Sequence, residues 1–306
     1  MTEDFVLDRA AVRRAFDRAA ASYDAHAVLQ REVCDRLLER LDFVKLAPKQ
    51  ILDVGAGTGY GLQQLRTRYA AAHLLGLDLA PTMLSQARSK LPAVTWLDRM
   101  SSAFTPHTAT MDFVCADMER LPLKNQSVDL LWSSLALQWA NDLEATLCDF
   151  YRVLAPRGLL MFATFGPDTL KELRGAFSQI DDAPHIHRFA DLHDIGDMLV
   201  NAGFANPVME MEIVTLTYAD LKSLMVDLKG IGAHNAAMMR RRGLLGKAAW
   251  KKLEQHYEQH RMAGRLPATY EVIYGHAWVG DQKRRDDGGQ VIQFKIAERL
   301  SSRGRG

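Results

Sequence analysis

The chain has 306 residues, of which 48% are hydrophobic and 25% charged, and its formal net charge is +1. That is the composition of a globular protein, and so even a balance gives no overall electrostatic pull towards nucleic acid or a membrane surface. The length is long for one core and short for two full domains, so a main domain with an appended subdomain is expected. No run approaches the roughly 18 apolar residues of a membrane span. Met1-Thr2-Glu3-Asp4 lacks the basic start and apolar core of a signal peptide. Cys34, Cys115 and Cys148 lie far apart with no CxxC, and read as reduced core thiols of a cytosolic protein.

The segment 1–47 is expected to be a helical lid. Val12, Phe16, Ala19 and Ala20, then Val33, Leu37, Leu38 and Leu41, recur at helical spacing over Asp8 to Arg40. The small residues around Tyr23 suit a close-packed junction, and the early part is the best candidate for a mobile cover. The segment 48–165 carries the organising motif. Ile51-Leu52-Asp53-Val54 is an apolar run ending near an acid, followed by Gly55, Gly57 and Gly59, with helix from Leu62 to Arg68. This is a strand, a glycine turn and a helix start, the opening of a βαβ unit. Glycine accepts positive φ and lets a ligand approach where a Cβ would collide. A helix N-terminus beyond the turn offers free N–H groups to an anionic group.

A second apolar run ends in Asp78, about 20 residues after Gly57, the spacing that suits a carboxylate on ribose hydroxyls. Ala80 to Arg88 is expected as helix, with Pro81 where a helix start tolerates it. A third run, Val114 to Met118, ends in Asp117. The stretch before it is long, and Arg99 to Thr108 looks like an insertion or surface excursion. Asp129 to Ser134 is a fourth strand. Ser134 to Trp139 then occupy the strand's C-terminal end, where parallel α/β sheets bind ligands. Leu147 to Val153 is helix, Leu154 to Gly158 a turn, and Leu159 to Phe165 a fifth strand.

From Gly166 the composition changes, and 166–280 is expected to hold a substrate subdomain and the last strands. Pro184 to Phe189 is a polar cluster containing Arg188. Asp191 to Ala202 is helix stopped by Gly203, and Val208 to Tyr218 alternates as a strand. Ala219 to Lys229 and Lys247 to Arg261 are helices, and Pro267 to Trp278 is a last strand. The segment 281–306 is charged, lacks an apolar period and is expected to be flexible.

The glycines with Asp53, Asp78 and Asp117 in this order resemble class I S-adenosylmethionine (SAM) methyltransferases. The fold implied is α/β and Rossmann-like, a doubly wound, mostly parallel sheet with a small α+β C-terminal subdomain. The resemblance implies SAM as cofactor, with Gly55, Gly57 and Gly59 under its methionine part. Asp78 falls on the ribose, and Asp117 on the adenine amine with Met118 against the ring. Asp53, Ala56, Leu79, Met83, Ser134 and Leu135 complete the implied cofactor set. Tyr23 would face the active site, and Gln30 would reach the methionine end.

Methyl transfer from a sulfonium is in-line displacement, so the protein chiefly positions the acceptor and excludes water. Phenols and alcohols want a base. A carboxylate is already ionised at pH 7 and wants a cation or donors. No second acid or base stands out as a fixed motif, and Arg188 is the most specific cation by the expected domain junction, suited to a carboxylate by its planar fork. A structural staple is its other reading.

A narrower resemblance runs from Phe16 to about Trp278. "FDRAAASYDAHAVLQ", "SLALQW", "YRVLAPRG", "HRF", "DLKGIGAHN" and "LPATYEVIYG" are similar, in this order, to the malonyl-acyl-carrier-protein O-methyltransferases of biotin synthesis. That family esterifies the free carboxylate of a malonyl thioester. The resemblance implies Tyr23 and Arg188 as carboxylate holders and Gln138, Trp139 and Tyr274 as pocket walls. The implied partner is acyl carrier protein, which Arg240, Arg241, Arg242 and Lys247 could receive. Neither nucleic acid nor membrane is expected as partner. Three rivals stay open: a complex I assembly factor-like protein-arginine hydroxylase, a methyltransferase of a small metabolite, and a catalytically silent SAM-fold module.

Overall fold

The computed structural model describes residues 6–91, 110–238, 243 and 245–280. The expected insertion at 99–108, Arg240, Arg241 and Arg242, and the tail 281–306 lie outside the described residues. The N-terminal segment forms α1 (Arg9–Ala19), α2 (Tyr23–His26) and α3 (Val28–Arg40). Asp8 caps α1 by accepting from the Ala11 amide at 3.0 Å, a contact type worth about 1 kcal/mol. Then come β1 (Gln50–Val54), α4 (Tyr60–Arg68), β2 (His73–Asp78), α5 (Pro81–Ser89), β3 (Thr110–Cys115), β4 (Val128–Ser134), α6 (Leu143–Val153) and β5 (Leu154–Phe165). The remainder is α7 (Lys171–Ser178), α8 (Leu192–Asn201), β6 (Phe204–Tyr218), α9 (Leu221–Gly230), α10 (Lys247–Glu258) and β7 (Leu266–Val279).

All seven strands form one sheet in the order β3-β2-β1-β4-β5-β7-β6. The first five run parallel, and β7 lies antiparallel between β5 and β6. The two strands of the C-terminal α+β part therefore extend the main sheet. The strand order reverses between β1 and β4, the topological switch point at which doubly wound sheets bind ligands. Both faces are covered, as a parallel sheet requires. Ile51, Leu130 and Met161 pack with Val33, Leu37, Leu65 and Leu224 on one face. Leu52, Leu131 and Leu160 pack with Leu147, Phe150 and Leu199 on the other. The period of two along each strand thus divides two cores.

Three local expectations need correction. Leu154 to Gly158 is not a turn before β5 but a bulge within it: pairing with β4 jumps from Val128↔Leu154 to Leu130↔Leu159, and Arg157 takes φ +64°. The extra residues bend the strand without ending its ladder. Helix α7 was not expected at all. Of the cysteines only Cys34 is buried; Cys115 ends the exposed edge strand and Cys148 lies on the solvent face of α6, so two of the three are not core thiols. Among the described residues no helix is long and apolar enough to cross a membrane.

Candidate active site

The C-terminal ends of β1, β2 and β4 converge on the turn Gly55–Gly59. Gly55, Gly57 and Gly59 have φ of +78°, +54° and +83°, a region glycine enters without cost. A Cβ on Gly55 would collide with Ala136, and one on Gly59 would come to 2.9 Å from the Ala87 Cβ. A Cβ on Gly57 would meet nothing nearer than 4.0 Å. Gly57 therefore fronts open space, while Gly59 serves packing as the cap of α4. Leu135, just past β4, also takes a positive φ of +52°, a strained setting for a non-glycine residue that clusters at functional sites.

Two small cavities flank this turn. One of about 70 Å³ is lined by Leu79, Met83, Met118, Ala116 and Asp78. The other, about 60 Å³, is lined by Asp53, Gln30, Ala56, Thr58 and Trp132. Tyr23, Gly55, Gly57 and Ser134 line both, and Leu135 lines the first. Asp78 accepts from the Gly57 amide at 2.9 Å and the Ala80 amide at 2.8 Å. The Leu79 amide contributes as well, and since a carboxylate has about four acceptor positions, room remains for a ligand hydroxyl. Burial nevertheless pushes its pKa up to about 6. Asp53 is pushed further, to about 8, first by burial and then by Asp78. A buried carboxylate in that state wants a cation.

Asp117, expected on the adenine amine, lines neither of these cavities, although its neighbours Ala116 and Met118 and its partner Arg9 line the first. It is gripped by both nitrogens of the Arg9 fork, Nε at 2.9 Å, and Arg9 also donates to the Trp139 carbonyl at 2.6 Å. This guanidinium ties α1 across the site. Thr58 Oγ1 donates to Asp24 at 2.6 Å and Lys90 pairs with the same carboxylate at 2.6 Å, tying down α2. Arg9 was missed in the sequence because its partner is 108 residues away and no local pattern joins them.

A third cavity of about 400 Å³ opens beside the other two. Phe165, Leu173, Phe177, Phe189, Met225 and Tyr270 give it an apolar wall, with His185 and His187 from the 184–189 cluster. Gln30 is shared with the Asp53 cavity, and Trp139 with the Asp78 cavity. Trp139 stands edge-on to Phe16, centroids 5.2 Å apart, and stacks near His187 at 6.0 Å. His187 Nε2 contacts the Gln138 carbonyl, and burial lowers the pKa of His187 to about 4, so its ring is neutral at pH 7. Tyr23 is shifted the other way, by burial and then by Asp78, so its phenol keeps its proton.

The structure brings together Tyr23, Gln30, Gln138 and Trp139. It does not bring in two others. Arg188 is exposed and lines none of these cavities, whereas its loop neighbours His187 and Phe189 line the largest of the three. Tyr274 lies in the middle of β7 beneath Arg40, whose guanidinium is 3.7 Å from the ring centre, and burial raises its pKa to about 12. It is a core residue away from the pocket wall.

The donor set fits SAM. Asp53 matches an ammonium group, Asp78 a pair of hydroxyls, the open space before Gly57 a close-lying chain, and Leu79, Met83 and Met118 a flat apolar ring. Gln30 Oε1 is buried without a hydrogen-bond partner at the junction. Residues 52–162 match a family model described as "Methyltransferase domain". The fold is shared, at 19% identity and a TM-score of 0.55, with a chain of the complex between the Haloferax volcanii Trm112 methyltransferase activator and a methyltransferase, covering 90% of this chain and 100% of that one. The YcgJ protein of Bacillus subtilis gives 16% and 0.54, covering 80% and 97%. Fold and site together define a class I SAM-dependent methyltransferase.

Two curated relatives match far more closely. A malonyl-[acyl-carrier protein] O-methyltransferase of Laribacter hongkongensis is 55% identical over 96% of this chain and 98% of its own. One of Gallionella capsiferriformans is 53% identical over 96% and 99%. The chain belongs to the malonyl-[acyl-carrier protein] O-methyltransferase family.

Proposed function

We propose that this enzyme methylates the free carboxylate of malonyl-acyl carrier protein, giving the methyl ester that starts the pimeloyl chain of biotin. The observation that carries the reading is the junction itself. An apolar cavity of about 400 Å³ meets the glycine-turn site across Gln30 and Trp139, beside Tyr23 held as a phenol and His187 held neutral. Such a junction suits an acceptor that arrives already ionised and needs no base.

SAM supplies an electrophilic methyl group when bound. Asp53 would take its ammonium, and Asp78 its ribose hydroxyls. Gln30 would meet the methionine end through its buried oxygen. Asp117, already paired with Arg9, would meet the adenine amine. Tyr23 donates to the acceptor carboxylate and orients it, a task a phenol can do only while protonated. Gln138 is fixed by its amide donating to the Leu135 carbonyl at 2.7 Å, and with Trp139 and His187 it forms the wall that excludes water. The domain plan, a lid of 1–47, a SAM core of 48–165 and a substrate part of 166–280, belongs to the same proposal, as does a cytoplasmic location.

The test is a methyl-transfer assay with labelled SAM on malonyl-acyl carrier protein, malonyl-CoA and free malonate. Fast ester formation on the carrier-bound substrate is expected. All three unlabelled while calorimetry still shows SAM binding would overturn the substrate and leave the fold.

A further inference from the structure

The acceptor cavity meets solvent at the loop that follows α9. Lys229 is exposed and lines the cavity, and His234 lines it five residues on. This loop packs against the end of α1. A Cβ on Gly232 would come to 3.1 Å from the Phe16 ring and 3.3 Å from the Ala19 Cβ, and Ser22 Oγ donates to the Gly230 carbonyl at 3.5 Å. Arg18, exposed near that end of α1, therefore stands beside the same rim. Arg18 and Lys229 are close enough to His234 to lower its pKa, after the larger effect of burial.

Like charges gathered at one rim repel each other, and the usual remedy is an acid among them. Among the described residues neither Arg18 nor Lys229 forms an ion pair, although most arginines and lysines of the 1–47 segment do, Arg9 with Asp117 and Arg36 with Glu212 among them. The nearby acids are committed elsewhere. Asp227 is held by His26 at 2.9 Å and by Tyr218. Asp17 accepts from the Thr82 amide at 3.1 Å and faces Arg13 at 3.7 Å. A cation pair with a neutral imidazole donor, left without an acid where an otherwise apolar cavity opens, is suited to an anion on whatever occupies the cavity.

We propose that Arg18, Lys229 and His234 form an anion subsite at the mouth of the acceptor cavity, taking the phosphodiester of the phosphopantetheine arm that carries the acyl group. This rests on the malonyl-thioester reading and deepens it. The apolar wall accommodates the arm, and the rim fixes how far the arm enters. The phosphate next to the pantetheine is common to the carrier's phosphodiester and to the diphosphate of coenzyme A, and the subsite reads that phosphate in either.

The test compares kcat/KM for malonyl-phosphopantetheine and malonyl-pantetheine, which differ by the phosphate alone. The unaltered enzyme should favour the phosphorylated compound by about 10-fold or more, the weight of one charge-assisted contact. In Arg18→Ala/Lys229→Ala that ratio should fall towards one, while SAM affinity by calorimetry reports on folding. Single variants should each lose part of the advantage. Retention of the full advantage by the double variant overturns the subsite alone. So does a loss confined to malonyl-acyl carrier protein, which would assign these cations to the carrier's protein surface. If both small thioesters and malonyl-acyl carrier protein are inert while SAM binds, the malonyl reading falls first and the subsite with it; if malonyl-acyl carrier protein alone reacts, the phosphate confers no advantage by itself and the subsite is overturned while the malonyl reading stands.

Discussion

The cofactor side and the acceptor side are built in opposite ways. The first is made of backbone and carboxylates at the ends of three adjacent strands, Gly55 and Gly57 after β1, Asp78 ending β2, and Asp117 after β3. Its parts lie within one βαβαβ run. The second is made of side chains from β5, α7, the 184–189 loop, α9 and β7, and nearly all its wall is apolar. The difference teaches where chemistry and selectivity reside. Charge placed by a rigid sheet end suits a polar cofactor, whereas an apolar vault assembled from distant segments suits selection among acceptors by shape.

The contrast predicts that one polar change on the cofactor side outweighs any single change on the acceptor rim. Asp78→Ala should raise the SAM Kd roughly 10- to 100-fold, since a charged acceptor is worth about 1.5–3 kcal/mol; isothermal calorimetry reads this directly, and an unaltered Kd would break the assignment. Tyr23→Phe comes next, sitting where the two sides meet. Loss of the phenol donor should lower kcat about 10-fold, roughly 1.4 kcal/mol, with little change in SAM affinity. An equal loss in SAM binding would move Tyr23 wholly to the cofactor side.

The third effect is on pH. Asp53 has its pKa raised from 3.8 to about 8 in the fold, so the folded state binds that proton more tightly than the unfolded chain. Its contribution to stability is fully present below about pH 4 and is lost as pH rises towards 8. The cofactor-free enzyme should therefore lose Tm across that window more steeply than Asp53→Asn, by about 2–4 °C, roughly 1 kcal/mol for a chain of this size. SAM should bind the unaltered enzyme more tightly at pH 8.5 than at pH 6.5, because its ammonium group needs the ionised carboxylate. Parallel melting curves would show that the fold does not hold this proton, and a SAM Kd in Asp53→Asn equal to that of the unaltered enzyme at pH 8.5 would remove Asp53 from the cofactor's cation site. Arg188→Ala is the smallest. An exposed cation outside the cavity should change kcat and KM less than about twofold, and a larger KM effect in steady-state kinetics would bring it back to the acceptor.

The same contrast explains what the sequence could reveal. The glycine turn and the three acids are local signals, each an apolar run with a polar stop, so the doubly wound, mostly parallel sheet and the class of fold were readable. Arg9 was not, because only the fold brings α1 to Asp117. Nor was α7, which is eight residues long, carries Gly175 inside it and follows a left-handed Leu170. In the 184–189 cluster the chemistry of a carboxylate pointed to Arg188, while the direction each side chain takes along an irregular loop is set by neighbours. That turned His187 and Phe189 inward instead. Tyr274 failed for the complementary reason. It sits mid-strand, and only the helix laid over it decides whether such a residue meets a ligand or, as here, Arg40.

The position of β7 has a consequence for how the molecule is made. It is last in the chain among the described strands yet lies between β5 and β6, pairing with β6 from Leu266 to Val279 and with β5 from Val272 to Trp278. During synthesis β5 leaves the ribosome with an open edge, and β6 has no neighbour until some fifty residues later. Domains generally fold from the N-terminus as they emerge, so the cofactor side can assemble while the acceptor vault still lacks Tyr270 and its closing strand. The nascent chain thus passes through a stage with a built nucleotide cradle and a bare sheet edge, the point at which aggregation or a chaperone would intercept it.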